Sequence, residues 1–325
     1  MVDKRIELLA VIQTMNHYWD NLALMYSNRK LFKCKYKKNI DKYFKKYKSH
    51  EIIKLCGELC NNVQDISAFI NFVLCYSNPP NLDNIADIEK NVNCLIKQNI
   101  QYEKFISGIK CFYDDSNFEY FFENNRDEYE MLINDYINKN ELKEYVNIVD
   151  IYLGRNTVNY NIVVSALLMG CFGIKILTKE NVTYNYTVIS PFDYKGRKYI
   201  FGPKFSVLDV LWHEIGHLTI NDLTKGYINQ FDICQKIVPN NFVKLFYTDI
   251  ESIVNEYIIR AIVIRLLEIN YGEEIMGKLI QDNIQKGFTE IEAIKNYISK
   301  NCERDNKFTR GEEYKKLMGY VINKI

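Results

Sequence analysis

Apolar positions recur at helical spacing through most of the chain. Near its start, Ile6, Leu8, Leu9, Val11, Ile12 and Met15 follow the spacing that places side chains on one helix face. The same pattern predicts mostly helix from Asp3 to about Tyr145, broken at Asn78-Pro79-Pro80-Asn81. All 5 prolines lie from Pro79 to Pro239, so both ends lack strong breakers and suit long helices. The period then changes. Asn161 to Leu168 reads as strand, Gly170 to Gly173 breaks it, and Ile174-Lys175-Ile176-Leu177 is placed to pair back. Tyr184 to Ile189 and Arg197 to Phe201 flank Pro191 and an Asp193-Tyr194-Lys195-Gly196 turn, which predicts a hairpin. After Glu268 the helical pattern returns, punctuated near Gly272, Gly287 and Gly311. These patterns give an α+β, predominantly α-helical fold, with a helical N-terminal region over 1–150 and a second region over 151–325. No internal repeat, coiled-coil heptad or low-complexity linker interrupts it.

The most informative helix carries Val207, Leu208, Val210, Leu211, Trp212, Ile215, Leu218 and Ile220, an apolar surface wide enough to bury it on most sides. Pro203 lies just upstream, and Ser206-Val207-Leu208-Asp209 has the form of a capping box. Within this helix stands His213-Glu214-Ile215-Gly216-His217, an HExxH motif in a chain with only 4 His. Residues i and i+4 sit one above the other, so His213 and His217 can offer two imidazole nitrogens to one metal. Glu214 lies about 100° round the helix, near enough to hold a water without being a ligand itself. A buried helix bearing two His and a Glu needs compensation for those polar groups, and a bound cation supplies it.

A catalytic zinc takes a third protein ligand and keeps a position open. The segment Asp249 to Arg265 offers Glu256 and Glu251. Glu256 is preferred, because it opens a run that is apolar almost all round, where a charge must be paired or coordinate a metal. Arg260, at i+4, is placed to orient it. Glu251 stays as the alternative, although a carboxylate in a first helical turn is also favoured by the helix dipole. Asp209, Asp222 and Asp249 are weaker candidates to contact the ligating imidazoles.

With HExxH followed by Asn255-Glu256 on a second helix, the chain resembles the gluzincin branch of the zincin metallopeptidases. A closer resemblance, along nearly the whole chain, is to an uncharacterised zincin-like family. It is carried by Asp3-x-Arg5-x-Glu7-Leu8, Tyr47-Lys48-Ser49-His50, the HExxH helix, Glu256 with Arg260-Ala261, and Gly287-Phe288 to Glu303-Arg304-Asp305. The resemblance implies that 151–325 is a zincin-like metallopeptidase region with a small β-sheet beside the HExxH helix. It also implies one Zn2+ per chain on His213, His217 and Glu256, Glu214 as general base, and a peptide or protein substrate. An edge strand of such a sheet is a docking place for an extended peptide. Thermolysin-like enzymes have a later catalytic His, and here none follows His217. Tyr227, Tyr247, Tyr257 and Tyr271 are then open as stabilisers of the oxyanion. The alternative is a catalytically inactive, zinc-stabilised binding or regulatory protein of zincin fold; a metal-free helical interaction module is a third reading.

Composition narrows the picture little. With 47% hydrophobic and 26% charged residues the chain can build a core, and a net charge of +1 gives no global attraction to nucleic acid. Arg29 to Lys48 is lysine-rich and interleaved with aromatics, which reads as an amphipathic helix whose lysine face the acidic Asp114 to Glu144 can neutralise. Neither nucleic acid nor membrane is therefore an expected partner, and the oligomeric state stays open. The 9 cysteines are scattered without zinc-knuckle pairing, so buried thiols are expected. His17 and His50 are expected to be structural. Met1-Val2-Asp3-Lys4-Arg5 leads into an acid-bearing helix rather than a signal peptide, and cytoplasmic residence is the expectation.

Overall fold

The computed structural model describes the chain except residues 28–31, 61–66, 93–101, 156–159, 234–235, 244–246 and 248. Arg29 and Lys30 of the basic stretch lie outside the described residues. The fold is predominantly α-helical with small sheets, and it divides into two compact units. The first comprises 1–138 and 158–203, the second 139–157 and 204–325.

The first unit holds helices α1 (Lys4–Met15), α2 (Tyr18–Ser27), α3 (Lys35–Phe44), α4 (Glu51–Cys60), α5 (Ala68–Leu74), α6 (Ile88–Asn91), α7 (Tyr102–Asp115), α8 (Phe118–Asn124) and α9 (Arg126–Tyr136). Its strands are β1 (Tyr160–Val164), β2 (Phe172–Leu177), β3 (Thr183–Ile189), β4 (Asp193–Lys195) and β5 (Lys198–Ile200). Helix α1 is buried almost all round, so its polar residues need internal partners. Asp3 caps it by accepting from the Arg5 and Ile6 amides, and the Arg5 guanidinium donates to Asp3 at 2.6 Å, to Tyr76 O at 2.8 Å and to Tyr186 at 3.1 Å. Glu7 accepts from Tyr36 at 2.6 Å and from Ser165 at 3.0 Å. Burial pushes its carboxyl up to about 7 against the pull of those two hydroxyls.

Absence of proline does not yield long helices in this unit. The longest described one, α7, has 14 residues. Asparagine-bearing junctions end the helices instead: Asn16 precedes His17 at φ 62°, and Asn117 itself sits at φ 49°. The basic stretch forms α3 with Tyr36, Ile40 and Phe44 buried. Lys35 pairs with Glu128 at 2.8 Å, as the acidic counterpart led one to expect.

Two strand expectations are corrected. Strand β2 pairs not with β1 but with β3, antiparallel, while β1 pairs with β3 in parallel. Asn185 to Ile189 of β3 is continuously buried, and a strand covered on both faces takes the central place. The hairpin is β4 with β5 alone, turned by Gly196 and Arg197 at φ 58° and 63°, the conformation of a tight two-residue hairpin turn. Both outer sheet edges are partly occupied: Val164 N donates to Met1 O beside β1, and Asn91 bonds Leu177 N and O beside β2. That leaves less free ladder for an extended peptide.

The second unit holds α10 (Lys139–Tyr152), α11 (Lys204–Tyr227), α12 (Asn240–Val243), α13 (Ile250–Tyr271), α14 (Met276–Gln285), α15 (Ile291–Asn301), the short hairpin β6 (Glu303–Arg304) and β7 (Lys307–Phe308), and α16 (Glu312–Lys324). Helix α13 is its buried axis, packed against α11, α14, α15 and α16. Asp249 caps it through the Ser252 amide at 2.7 Å, and Gly272 at φ 89° ends it. The expected capping box at Ser206 is not used. Helix α11 begins two residues earlier, directly after Pro203, because Gly202 at φ 98° redirects the chain and proline is preorganised for helix entry. Glu303 anchors the rear of the unit: Arg265 donates to it at 3.0 Å and Tyr152 at 2.6 Å.

Of the cysteines described, Cys34, Cys56, Cys75 and Cys302 are buried thiols; Cys111 is exposed, against expectation, on the solvent side of α7. No helix among the described residues is long and apolar enough to cross a membrane.

Candidate metal centre

His213 and His217 stand one turn apart on α11, each largely enclosed, with their Nε2 atoms 3.1 Å apart. Glu256 projects from α13 into the same space. Its Oε1 lies 3.3 Å from His217 Nε2, and its Oε2 lies 3.5 Å from His213 Nε2. One donor atom from each of the three residues falls within 4.8 Å of the others, so the triad could hold a metal ion.

The convergence depends on how closely α11 meets α13. A Cβ at Gly216 would stand 2.9 Å from Ile259 Cγ2, which is inside van der Waals contact. Glycine within the motif thus lets the two helices meet closely enough for side chains of ordinary length to share one point. Two further ties fix α11 within the unit: Trp212 Nε1 donates to Tyr145 O at 2.9 Å, and Arg155 to Ile215 O at 3.0 Å.

Each donor is oriented by a neighbour. His217 Nδ1 lies 3.1 Å from Asn221 Oδ1; with Nδ1–H donating there, Nε2 is left to face Glu256. Arg260 donates to Glu256 Oε2 through Nε at 3.0 Å and pairs with it through Nη2 at 2.9 Å. The guanidinium is itself held by Asn283 Oδ1 at 3.2 Å and lies 4.4 Å from the Phe288 ring centroid. The Tyr247 phenol stands beside Glu256 and Arg260, and burial next to that carboxylate pushes it up.

Electrostatics agree with the geometry. Burial alone would push the Glu256 carboxyl up, but His213, Arg260 and His217 overcome it and hold the group well below the usual carboxylate range. Burial pulls the His217 imidazolium down, yet Glu256, with Glu214 and Asn221 beside it, raises it to about 9. Glu214 is 8% exposed and is committed to no hydrogen bond among the described residues. Its carboxylate adds to the negative field on the His217 imidazole.

Other candidates are placed elsewhere. Glu251, half-buried in the first turn of α13, stands outside the cluster. Asp249 is a helix cap, Asp222 is exposed, and Asp209 adds to the field on Arg260. Of the four tyrosines considered, Tyr247 is the one at the cluster; Tyr257 packs on Phe242 and Phe288, Tyr271 on Phe205 and Tyr227 on Tyr314. His50 accepts from the Ile52 amide at the start of α4 and faces Asp115 at 3.3 Å, and His17 is exposed. Asn221 was readable as the i+4 neighbour of His217 but was not singled out. Asn283 and Phe288 reach the site from later elements, and no local spacing announces that.

The family model described as Domain of unknown function (DUF4932) matches residues 1–318. The chain belongs to this family. No curated protein and no solved structure matches it. The match spans both units, so the helices carrying the triad and the helices of the first unit belong to the same family pattern.

The structure also gives physical reasons for the scattered segments that characterise the chain. Asp3, Arg5 and Glu7 satisfy the buried α1, and Tyr47 with His50 ties the start of α4 to Asp115. Phe288 backs Arg260, and Glu303 anchors Arg265.

Proposed function

We propose that this chain is a zinc-dependent peptidase in which His213, His217 and Glu256 hold the metal and Glu214 is the general base. The observation that carries the reading is the spacing of the donors. Ligands about 2.0–2.2 Å from a tetrahedral zinc lie about 3.3–3.6 Å from one another. Here the two Nε2 atoms are 3.1 Å apart, Glu256 Oε1 is 3.3 Å from His217 Nε2 and Oε2 is 3.5 Å from His213 Nε2, and one donor atom from each residue falls within 4.8 Å of the others. Two imidazoles and one carboxylate also form a donor set typical of zinc, and one that leaves a position open.

Zinc held there supplies Lewis acidity, polarising a carbonyl and making water easier to deprotonate. The chain does the rest. Glu214 takes the proton from the attacking water and returns it to the leaving amine. Asn221 and Arg260 fix the facing atoms of His217 and Glu256, which lowers the reorganisation needed during the reaction.

The test is to offer the zinc-loaded protein a complex peptide mixture and read new termini by mass spectrometry, alongside Glu214→Gln. Cleavage by the wild type, lost in Glu214→Gln while zinc is retained, supports the peptidase. Zinc retention with no cleavage by either protein turns the reading to a zinc-stabilised binding or regulatory protein.

A further inference from the structure

We propose that Arg260 is a positioning residue that makes Glu256 a one-oxygen ligand, with Oε1 reserved for the metal and Oε2 reserved for the guanidinium. The inference rests on the metal-binding reading above and concerns how the carboxylate is divided.

A carboxylate oxygen has two lone-pair directions. At Oε2 Arg260 Nε donates at 3.0 Å and Nη2 pairs at 2.9 Å, while His213 Nε2 stands farther off at 3.5 Å. Oε1 is the oxygen that faces His217 Nε2, at 3.3 Å. The guanidinium cannot easily swing aside. Asn283 holds its third nitrogen at 3.2 Å, the Phe288 ring backs it at 4.4 Å, and Asn283 is fixed in turn by donating to Leu279 O at 2.8 Å. This mount comes from α14 and the Gly287-Phe288 turn, so the orientation of a side chain on α13 is set from a third part of the unit.

The consequence is a coordination number. A carboxylate free to use both oxygens would occupy two positions on the ion; one held by Arg260 occupies one and leaves room for water and substrate. Lysine cannot reproduce the paired N–H contacts, because its ammonium is a point charge rather than a planar fork.

The experiment compares wild type, Arg260→Lys, Arg260→Met and Asn283→Ala. Zinc affinity is measured by chelator competition, and the visible spectrum is recorded after loading with Co2+. Unloaded proteins are checked by circular dichroism, and Asn283→Ala keeps Arg260 in place should Arg260→Met fail to fold. The expected result is strong four-coordinate Co2+ absorption in the wild type and a weaker five-coordinate spectrum in Arg260→Met. Zinc affinity should fall about 10- to 100-fold in Arg260→Met and less in Arg260→Lys and Asn283→Ala. A wild type that loads normally, with Arg260→Met and Asn283→Ala indistinguishable from it in affinity and spectrum, overturns the positioning role alone. A folded wild type that takes up neither ion overturns the metal reading and the positioning role together.

Discussion

Replacing Gly216 with alanine probes the contact that brings His213, His217 and Glu256 together. The added Cβ would meet Ile259 Cγ2 at 2.9 Å and Cγ1 at 3.5 Å. Carbon atoms in good contact sit about 3.5–4.0 Å apart, so the helices or the Ile259 rotamer must give by roughly 0.6 Å or more. Overpacking of this kind costs about 1–3 kcal/mol, while alanine recovers about 1 kcal/mol over glycine in a helix interior. The net expectation for Gly216→Ala is a loss of roughly 0–2 kcal/mol in urea unfolding of the metal-free protein. Removing the opposing atoms isolates the clash. Ile259→Ala alone should cost about 2–5 kcal/mol, but in that background Gly216→Ala should be neutral or stabilising by about 1 kcal/mol. The cycle should therefore give a coupling of about 1–3 kcal/mol, with zinc affinity lowered in Gly216→Ala and partly restored in the double variant. A coupling below about 0.5 kcal/mol would refute the idea that this contact limits the approach of α11 to α13.

Three other outcomes are expected. Glu7, whose buried carboxyl is pushed up to about 7 from an ordinary value of 4.5, binds its proton more tightly folded than unfolded. Stability should therefore be fully present at pH below 4.5 as far as this group is concerned and fall as pH rises towards 7, by about 3 kcal/mol, in urea titrations at stepped pH. Glu7→Gln should flatten that slope; an unchanged slope would show that Glu7 is not its source. Glu303→Gln, which weakens the contacts to Arg265 at 3.0 Å and Tyr152 at 2.6 Å, should cost about 3 kcal/mol, and an effect within about 0.5 kcal/mol would mean the anchor is dispensable. Free zinc at a hundred times its dissociation constant should stabilise the protein by about 2.7 kcal/mol, and a chelator should reverse this. A denaturation midpoint indifferent to both would speak against a site formed only in the folded state.

The candidate metal centre was legible because its chemistry is written locally. His213 and His217 are one helical turn apart, and Glu256 is the acidic residue entering an otherwise apolar helix, so burial by itself marks it out. Arg260 follows from the same i+4 rule. What stayed hidden is contributed from a distance. Asn283 and Phe288 meet Arg260 only through the packing of later elements, and the role of Gly216 depends on Ile259, which lies 43 positions further along the chain. Strand order failed for a related reason. Sequence neighbours were paired, whereas β3 takes the centre because it is the strand buried on both faces. Helix lengths in the first unit were overestimated because residues in left-handed conformations, His17 after Asn16 and Asn117 itself, end helices as effectively as prolines. Ser206 illustrates the limit of motif reading: its capping pattern was present, but Gly202 and Pro203 had already set the entry to α11.

Metal content tests the central claim most directly. Untagged wild-type protein, Glu256→Ala and Glu251→Ala should be purified without added metal and analysed for elements, with circular dichroism to confirm folding. The expected result is about one zinc per chain in the wild type and in Glu251→Ala, and its loss from Glu256→Ala. Wild-type protein that is folded yet carries no zinc, even after reconstitution, would contradict the account.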